Sequence, residues 1–417
     1  MTNEPGGKPL NANRALLILT IGTLSIAMGQ SLVFALLPPL GRDLGLQEMQ
    51  IGSIVTFSSL IFFISSPKWG RRSDHMGRKP VILIGLVGYT IGTVIFASII
   101  LMGLKAIISG LVVYIALVLA RMGQSAVMSA TPPGAGAYVA DITSNQNRTS
   151  GMGKLGAANN IGTILGPGIG GALAVFSLLV PLYFAAVVTG ISAIFVWRML
   201  PKSPQIIKEP GDVKKLSYFD SRYFAFVVVG FIMFMSFSVV MQTAGFYFQD
   251  KLGLNGKETA QSLGLGMMAS AIMSLFAQGV IVQFLNWRPL RLIIGGMPII
   301  LVSFLGLIFS ENLIHLVISM AVMGLGTGMA GPGIFAGSSL TVSSEEQGSL
   351  AGLMSSCPPL GFIIGPMIGT GLYSLGPLYP YIFISIIFVP LIIFSWKIKT
   401  LIRRNYARNY QRDYTAT

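Results

Sequence analysis

The sequence predicts an all-α membrane protein with twelve transmembrane helices in two pseudo-symmetric six-helix bundles. Its composition, the spacing of its apolar runs and an internal repeat predict this class. Of the 417 residues, 53% are hydrophobic and 10% are charged, and the mean hydropathy is +0.73. Soluble chains carry about 25% charged residues. Because so few charges cannot cover a surface that faces water, we expect the chain to lie in lipid.

The internal repeat relates the two halves of the chain. Residues 162–167 read GTILGP, and residues 361–366 repeat them in degenerate form as GFIIGP. The pair Pro133-Gly134 is matched at the same offset by Pro332-Gly333. A chain of apolar helices that repeats in two halves is typical of transporters whose halves move about a central site. The repeat therefore predicts both an architecture and a small-molecule substrate bound between the halves.

Twelve runs are long enough to cross a bilayer, which takes about 20 apolar residues. They cover approximately residues 15–40, 49–68, 80–104, 108–138, 150–175, 178–200, 221–249, 258–285, 289–310, 313–341, 348–375 and 378–400. A polar stretch divides them six and six. The predicted organisation is an N-terminal bundle at 1–200, a cytoplasmic linker at 201–220, a C-terminal bundle at 221–400 and a cytoplasmic tail at 401–417.

The basic residues are distributed unevenly over the connections between these spans. If the N-terminus is cytoplasmic, nearly all of the 28 Lys and Arg residues fall in cytoplasmic segments. Outside the membrane are only Arg42, Lys105, Lys251 and Lys257, and Arg121 alone lies within a span. Since positive charge marks the cytoplasmic side, we expect a multi-pass protein of the cytoplasmic (inner) membrane with both termini inside. Bases confined to such connections also argue against a nucleic-acid partner.

The connection between the second and third spans carries a charged glycine motif. Residues 70–82 read GRRSDHMGRKPVI. Gly70 and Gly77 allow a sharp turn between antiparallel helices, and Asp74 is an anion that a helix N-terminus attracts. The eleventh span follows residues 343–346, which read SSEE and predict a capping box at such a terminus.

This motif resembles the loop signature of the major facilitator superfamily, through Gly70, Asp74, Gly77, Arg78 and Lys79. It departs from that signature at Arg72, His75 and Met76. The resemblance implies the superfamily's fold. It also implies that Asp74 contacts the eleventh helix and acts as a conformational latch, and that Asp141 pairs with Arg78 or Arg148 in the same charge network. Alternatively, these charges only enforce topology or are solvated at helix ends.

The fifth span carries a stripe of small residues. Gly162, Gly166 and Gly170 are spaced four apart and so lie on one helical face, with Pro167 and Gly171 beside them. Small residues let helices approach closely in membranes. The string resembles the motif that marks the drug/proton antiporter-like exporter branch of the superfamily. A generic helix-packing motif is the alternative.

Arg121 is the only clear ionisable side chain in the interior of a span, away from its ends. Such groups are functional candidates because they are costly to insert. Arg121 resembles the Arg of the superfamily's fourth-span motif, which is tied to proton transfer or to polar groups of the first span. The predicted substrate cavity contains Gln30, Arg121, Gln124, Asn160 and Gln242. No Asp or Glu lies inside a span, which favours neutral or anionic substrates over cations. Each of these polar residues could instead join helices together.

These observations predict a secondary active transporter that exports small amphipathic or anionic molecules, such as a drug, a metabolite or a siderophore. Alternating access coupled to proton antiport is the expected mechanism. An importer of siderophores or organic anions is the alternative. The sequence holds no nucleotide-binding loop, metal-ligand cluster or nucleophile beside a base, so we expect no catalytic residue, metal or cofactor, and no enzyme activity. A monomer is expected.

Overall fold

The computed structural model describes residues 12–143, 145–201, 217–284, 287–342 and 346–396. Within these ranges all regular secondary structure is helical. Most of the predicted linker and the predicted tail lie outside the described residues. The chain separates into two compact units, Met1–Gln50 with Phe57–Glu209, and Ile51–Thr56 with Pro210–Thr417. The predicted bundle boundaries stay a prediction.

The described residues of the first unit form seven helices. They are α1 (Ala12–Asp43), α2 (Glu48–Met76, of which Ile51–Thr56 group with the second unit), α3 (Arg78–Leu104), α4 (Gly110–Met128), α5 (Thr131–Ile142), α6 (Asn145–Leu173) and α7 (Val180–Met199). In this unit α1 packs on α6 and α7, and α3 packs on α4, α5 and α7. A buried apolar cluster joins α1, α3, α5 and α7 around Leu19, Leu86 and Tyr138.

The second unit contains the remaining helices. They are α8 (Phe224–Leu252), α9 (Gly256–Phe276) with a π-helical continuation (Ala277–Phe284), α10 (Pro289–Ile308), α11 (Leu313–Ser339), α12 (Gln347–Met354), α13 (Cys357–Leu375) and α14 (Tyr379–Trp396). Here α11 packs on α9 and α10, and α8 packs on α13.

Eleven helical segments of the described chain are long and apolar enough to cross a membrane. The predicted span 150–175 is the exception. It forms α6, which has 29 residues and is long enough, but it does not reach the same hydropathy because Asn159, Asn160 and its many glycines dilute the apolar residues.

Two predicted spans are interrupted. The span 108–138 is split into α4 and α5, which restarts at Thr131 directly before Pro132 and Pro133. The span 348–375 is split into α12 and α13 in the same way, before Pro358 and Pro359. Proline is tolerated in the first turn of a helix but removes a hydrogen bond from its interior, so the helices restart where the proline pairs stand.

Candidate functional site

A buried arginine organises a hydrogen-bonded network in the first unit. Arg121 of α4 is 3% exposed. Its guanidinium donates to Oε1 of Gln124 and to Oε1 of Gln30 of α1, each at 2.5 Å. The amide of Gln124 then donates to Thr93 Oγ1 at 2.7 Å and to the carbonyl oxygen of Tyr89 at 3.1 Å, both on α3. The network therefore joins three helices.

Glycines bring these helices close enough for the network to form. A Cβ atom at Gly92 of α3 would lie 2.5 Å from Cγ of Gln124, which is closer than packed carbon atoms can approach. A Cβ atom at Gly29 of α1 would overlap the hydroxyl of Tyr89. The absence of side chains at these two positions thus lets α1 and α4 pack tightly on α3.

The network supplies Arg121 with neutral acceptors only. Among the described residues no carboxylate lies within ion-pair distance of its guanidinium. Its Nε has no hydrogen-bond partner in the described part of the chain, and neither has the buried hydroxyl of Tyr89. Phe96 places its ring centroid 5.7 Å from the guanidinium carbon. Among the described residues the buried charge of Arg121 thus has an unused donor and no counter-ion.

The other two residues assigned to the cavity lie outside this network. Asn160 is exposed on α6, two residues from Gly162 and therefore on the side of the helix that faces away from α1. Gln242 belongs to α8 of the second unit, where it is 2% exposed and its Nε2 has no hydrogen-bond partner among the residues that the structure describes. Their assignment to a substrate cavity stays a prediction.

The turn in the charged motif between α2 and α3 is shorter than predicted. Gly70 lies inside α2, which continues to Met76, so the turn is made by Gly77 alone, with a φ of 88° that favours glycine. The expected loop is thus one residue long. Because α3 begins directly after Gly77, Arg78 stands where it can bond Asp74 of α2 and Asp141 of α5.

Arg78 bridges two acids within the first unit. Its Nε lies 3.0 Å from Oδ2 of Asp141 at the end of α5, and its Nη1 bonds Asp74. Two partners were predicted for Asp141. The contact with Arg78 is formed, and the side chain of Arg148 lies outside the described residues. Lys79 follows Arg78 in the first turn of α3. The latch role of this cluster stays a prediction.

A second bridging arginine was missed by the sequence analysis. Arg222, just before α8, bonds both oxygens of Asp220 and also Glu346, whose Oε2 lies 2.8 Å from its Nη1. Its guanidinium holds the pKa of Asp220 below the usual value. Residues 343–345 lie outside the described ranges, so the capping box expected at residues 343–346 stays a prediction. In the sequence, the only sign of this cluster is Asp220, the acid two residues before Arg222.

The glycine stripe of α6 faces α1. A Cβ atom at Gly166 would overlap Ser31 Oγ and the carbonyl oxygen of Met28, and one at Gly162 would overlap the carbonyl oxygen of Leu24. Gly170 continues the line against Leu32. We call this contact the first glycine seam.

The degenerate repeat forms an equivalent contact between α13 and α8, the second glycine seam. A Cβ atom at Gly365 would lie 2.8 Å from the carbonyl oxygen of Met235 and 2.7 Å from Cβ of Ser238. Met28 and Ser31 of the first seam thus correspond to Met235 and Ser238 of the second. The repeat that is visible in the sequence is therefore also a repeat of helix packing.

Comparison with known proteins assigns the family. The family model of the Major Facilitator Superfamily matches this chain over residues 19–357 and 285–408. The chain is 27% identical over 397 residues to multidrug resistance protein 2 of Bacillus subtilis, covering 92% of this chain and 94% of the relative. It is 27% identical over 378 residues to the class C tetracycline resistance protein of Escherichia coli, covering 88% and 91%.

A solved structure shares the fold. The inward-facing, unoccupied structure of a bacterial homologue of the human lysosomal transporter Spinster matches 96% of this chain and 99% of its own, with a TM-score of 0.76 and 12% identity. The all-α fold class and the family resemblance of the loop motif are confirmed. The chain belongs to the Major Facilitator Superfamily, and it is a multi-pass membrane transporter rather than an enzyme.

Proposed function

We propose that this transporter exports small anionic or amphipathic molecules by alternating access, in exchange for protons. The observation that carries the proposal is the buried guanidinium of Arg121, which is bonded to neutral amide oxygens and has no carboxylate partner among the described residues. Such a group attracts an acceptor-rich or anionic ligand and repels a cation.

The asymmetry of the two units supports an amphipathic substrate. The contact of Gly85 with Thr131 in the first unit recurs as the contact of Gly296 with Ala330 in the second. In this register, Arg121 corresponds to Met320. Gln124 likewise corresponds to Met323, and both methionines are buried. Methionine offers an adaptable, polarizable apolar surface, so the positions of Met320 and Met323 are suited to the apolar part of a ligand.

The direction and the coupling ion are inferred from relatives and from the motif in α6. Two relatives are named for resistance to drugs, and a transporter protects a cell when it removes the drug. The string from Gly162 to Gly171 resembles the motif of the antiporter branch, which supports exchange with protons. The drugs of those relatives are not assigned to this chain.

Flux into proteoliposomes tests the proposal. Three probes share a naphthyl group and differ in head group: 1-naphthoate, 1-naphthamide and 1-naphthylmethylammonium. Citrate serves as a polar anion without an aromatic group. Under an imposed pH gradient we expect saturable flux of an anionic probe above that of protein-free liposomes, and slower flux of the cation. Equal flux of anion and cation, or no saturable anion flux, would overturn the proposed substrate class.

The same preparation separates export from import. Everted vesicles should accumulate the transported anion when their interior is acidified, whereas whole cells should exclude it. Accumulation by whole cells instead would establish the alternative, an importer of organic anions or siderophores. Collapse of the pH gradient with a protonophore should abolish accumulation if protons are exchanged.

A further inference from the structure

The second glycine seam contains a polar side chain that its packing does not require. Along α8, Met235, Ser238, Val239 and Phe246 contact α13 at Gly361, Gly365, Gly369 and Tyr373. Gln242 stands four residues after Ser238 and four before Phe246. On a helix of 3.6 residues per turn, it therefore lies in the middle of the stripe that faces α13.

Gln242 is buried and its amide donor is unused. The residue is 2% exposed, and within the described ranges Nε2 has no hydrogen-bond partner. A buried donor without a partner destabilises a protein by about 1–3 kcal/mol, and such groups are rare in folded proteins. The first seam has a small apolar residue at the equivalent position. Ser31 corresponds to Ser238, so Ala35 corresponds to Gln242, and Ala35 is also buried. Helix packing alone is thus satisfied by a small apolar residue.

We propose that Nε2 of Gln242 donates a hydrogen bond to a carboxylate or carbonyl oxygen of the transported molecule. This inference rests on the proposed function and deepens it by naming a specificity-determining residue of the second unit. The described residues of α13 that face this stripe, from Gly361 to Tyr373, carry no charge. The acid farther along α8, Asp250, accepts a hydrogen bond from Tyr373 at 2.6 Å, two turns away. The free donor therefore favours an acceptor oxygen of the ligand, and no carboxylate in this described stretch of α13 offers a charge partner to an ammonium group.

Three variants test this role. Gln242→Met keeps the length of the side chain and removes the donor, and Gln242→Glu replaces the amide nitrogen with an acceptor oxygen. Ser236→Ala is the matched control: Ser236 lies on the same helix and is fully buried with an unpaired hydroxyl, but it stands on a different face. Thermal unfolding in detergent establishes that each variant is folded.

The readout is the KM of flux for 1-naphthoate and 1-naphthylmethylammonium in proteoliposomes. We expect Gln242→Met to raise the KM for 1-naphthoate by about ten- to hundredfold, which corresponds to the loss of one hydrogen bond to a charged group. Gln242→Glu should shift the preference from the anion toward the cation, a change that a merely structural role would not produce. Ser236→Ala should leave both values unchanged.

The two levels of inference fail differently. If the wild-type protein shows no preference for the anion, the proposed function is wrong and this inference falls with it. If the wild-type protein prefers the anion and folded Gln242→Met retains its KM, the proposed function stands and the role of Gln242 is wrong. A KM that rises equally in Ser236→Ala would also overturn the role, because the effect would then be one of packing.

Discussion

At the scale of single residues, Arg121 could be found in the sequence because it is the one clear ionisable group in the interior of a predicted span. Gln30 was also identifiable as a polar partner on the first span. The sequence did not reveal Thr93 and the carbonyl of Tyr89 as the groups that orient Gln124, because those contacts depend on how closely α3 and α4 approach. Gly92 determines that distance, and nothing in the sequence alone identifies its neighbour.

Substitution of Arg121 tests its role directly. We expect Arg121→Ala to abolish anion flux, and Arg121→Lys to reduce it by at least about tenfold, since one ammonium cannot reproduce the two-armed bonding of a guanidinium. Flux of 1-naphthoate into proteoliposomes is the measurement. Arg198→Ala, on the exposed end of α7, is the control and should transport normally. Full activity of Arg121→Ala would remove this residue from the mechanism.

At the scale of helices, the two glycine seams show what spacing can and cannot predict. Glycines four apart predict that one face of α6 packs closely on another helix, and the structure identifies α1 as the partner. The spacing did not identify that partner, because several helices are near enough in the chain to serve. The contact is specified by the fit of Gly166 to Ser31 and the backbone of Met28.

Alanine substitutions should separate the seam glycines from other helical glycines. Gly166→Ala and Gly365→Ala place a methyl group into backbone and side-chain atoms, and overpacking of this kind destabilises proteins by about 1–3 kcal/mol. Gly371→Ala on α13 meets no atom within 4 Å, so it should be neutral or stabilising by up to about 1 kcal/mol through helix propensity. Thermal unfolding in detergent is the measurement. A lower Tm for Gly371→Ala than for Gly365→Ala would contradict the seam.

The cluster of Asp220, Arg222 and Glu346 gives a prediction on pH. The pKa of Asp220 is lowered from 3.8 in the folded state, so its contribution to stability is complete above the unfolded-state pKa and is lost as the pH falls through the folded-state pKa. The Tm difference between wild type and Asp220→Asn should be constant above about pH 5 and should shrink as the pH falls below about 4. A difference that does not change with pH would mean that Asp220 contributes no charge interaction.

At the scale of the whole molecule, apolar length and charge placement predicted most of the helices. Eleven of the predicted spans meet the criteria for crossing a membrane within the described chain. The breaks before Thr131 and Cys357 were missed, although Pro132-Pro133 and Pro358-Pro359 are visible in the sequence, because a hydropathy run takes no account of backbone hydrogen bonding. The bridging role of Arg222 was missed because its partner Glu346 is far away in the chain.

The predicted orientation can be tested by cysteine labelling. The chain has one cysteine, Cys357, which is 1% exposed, so a Cys357→Ser background is suitable. In intact cells a membrane-impermeant maleimide should label Ile107→Cys, between α3 and α4, and should not label Met76→Cys at the end of α2. Both native residues are exposed, at 64% and 49%. Labelling of Met76→Cys from outside would invert the predicted topology.

The two units share their glycine seam but differ in buried side chains in and around it. A duplicated ancestral half would have inherited one way of fitting a glycine helix against its neighbour, and both descendants retain it. What diverged are Arg121, Gln124 and Ala35 in one copy and Met320, Met323 and Gln242 in the other. A hybrid protein made of two first halves should therefore assemble as a membrane protein. It would carry two buried guanidinium groups and no apolar counterpart, so under the proposed function it should not bind a molecule with one charged and one apolar end.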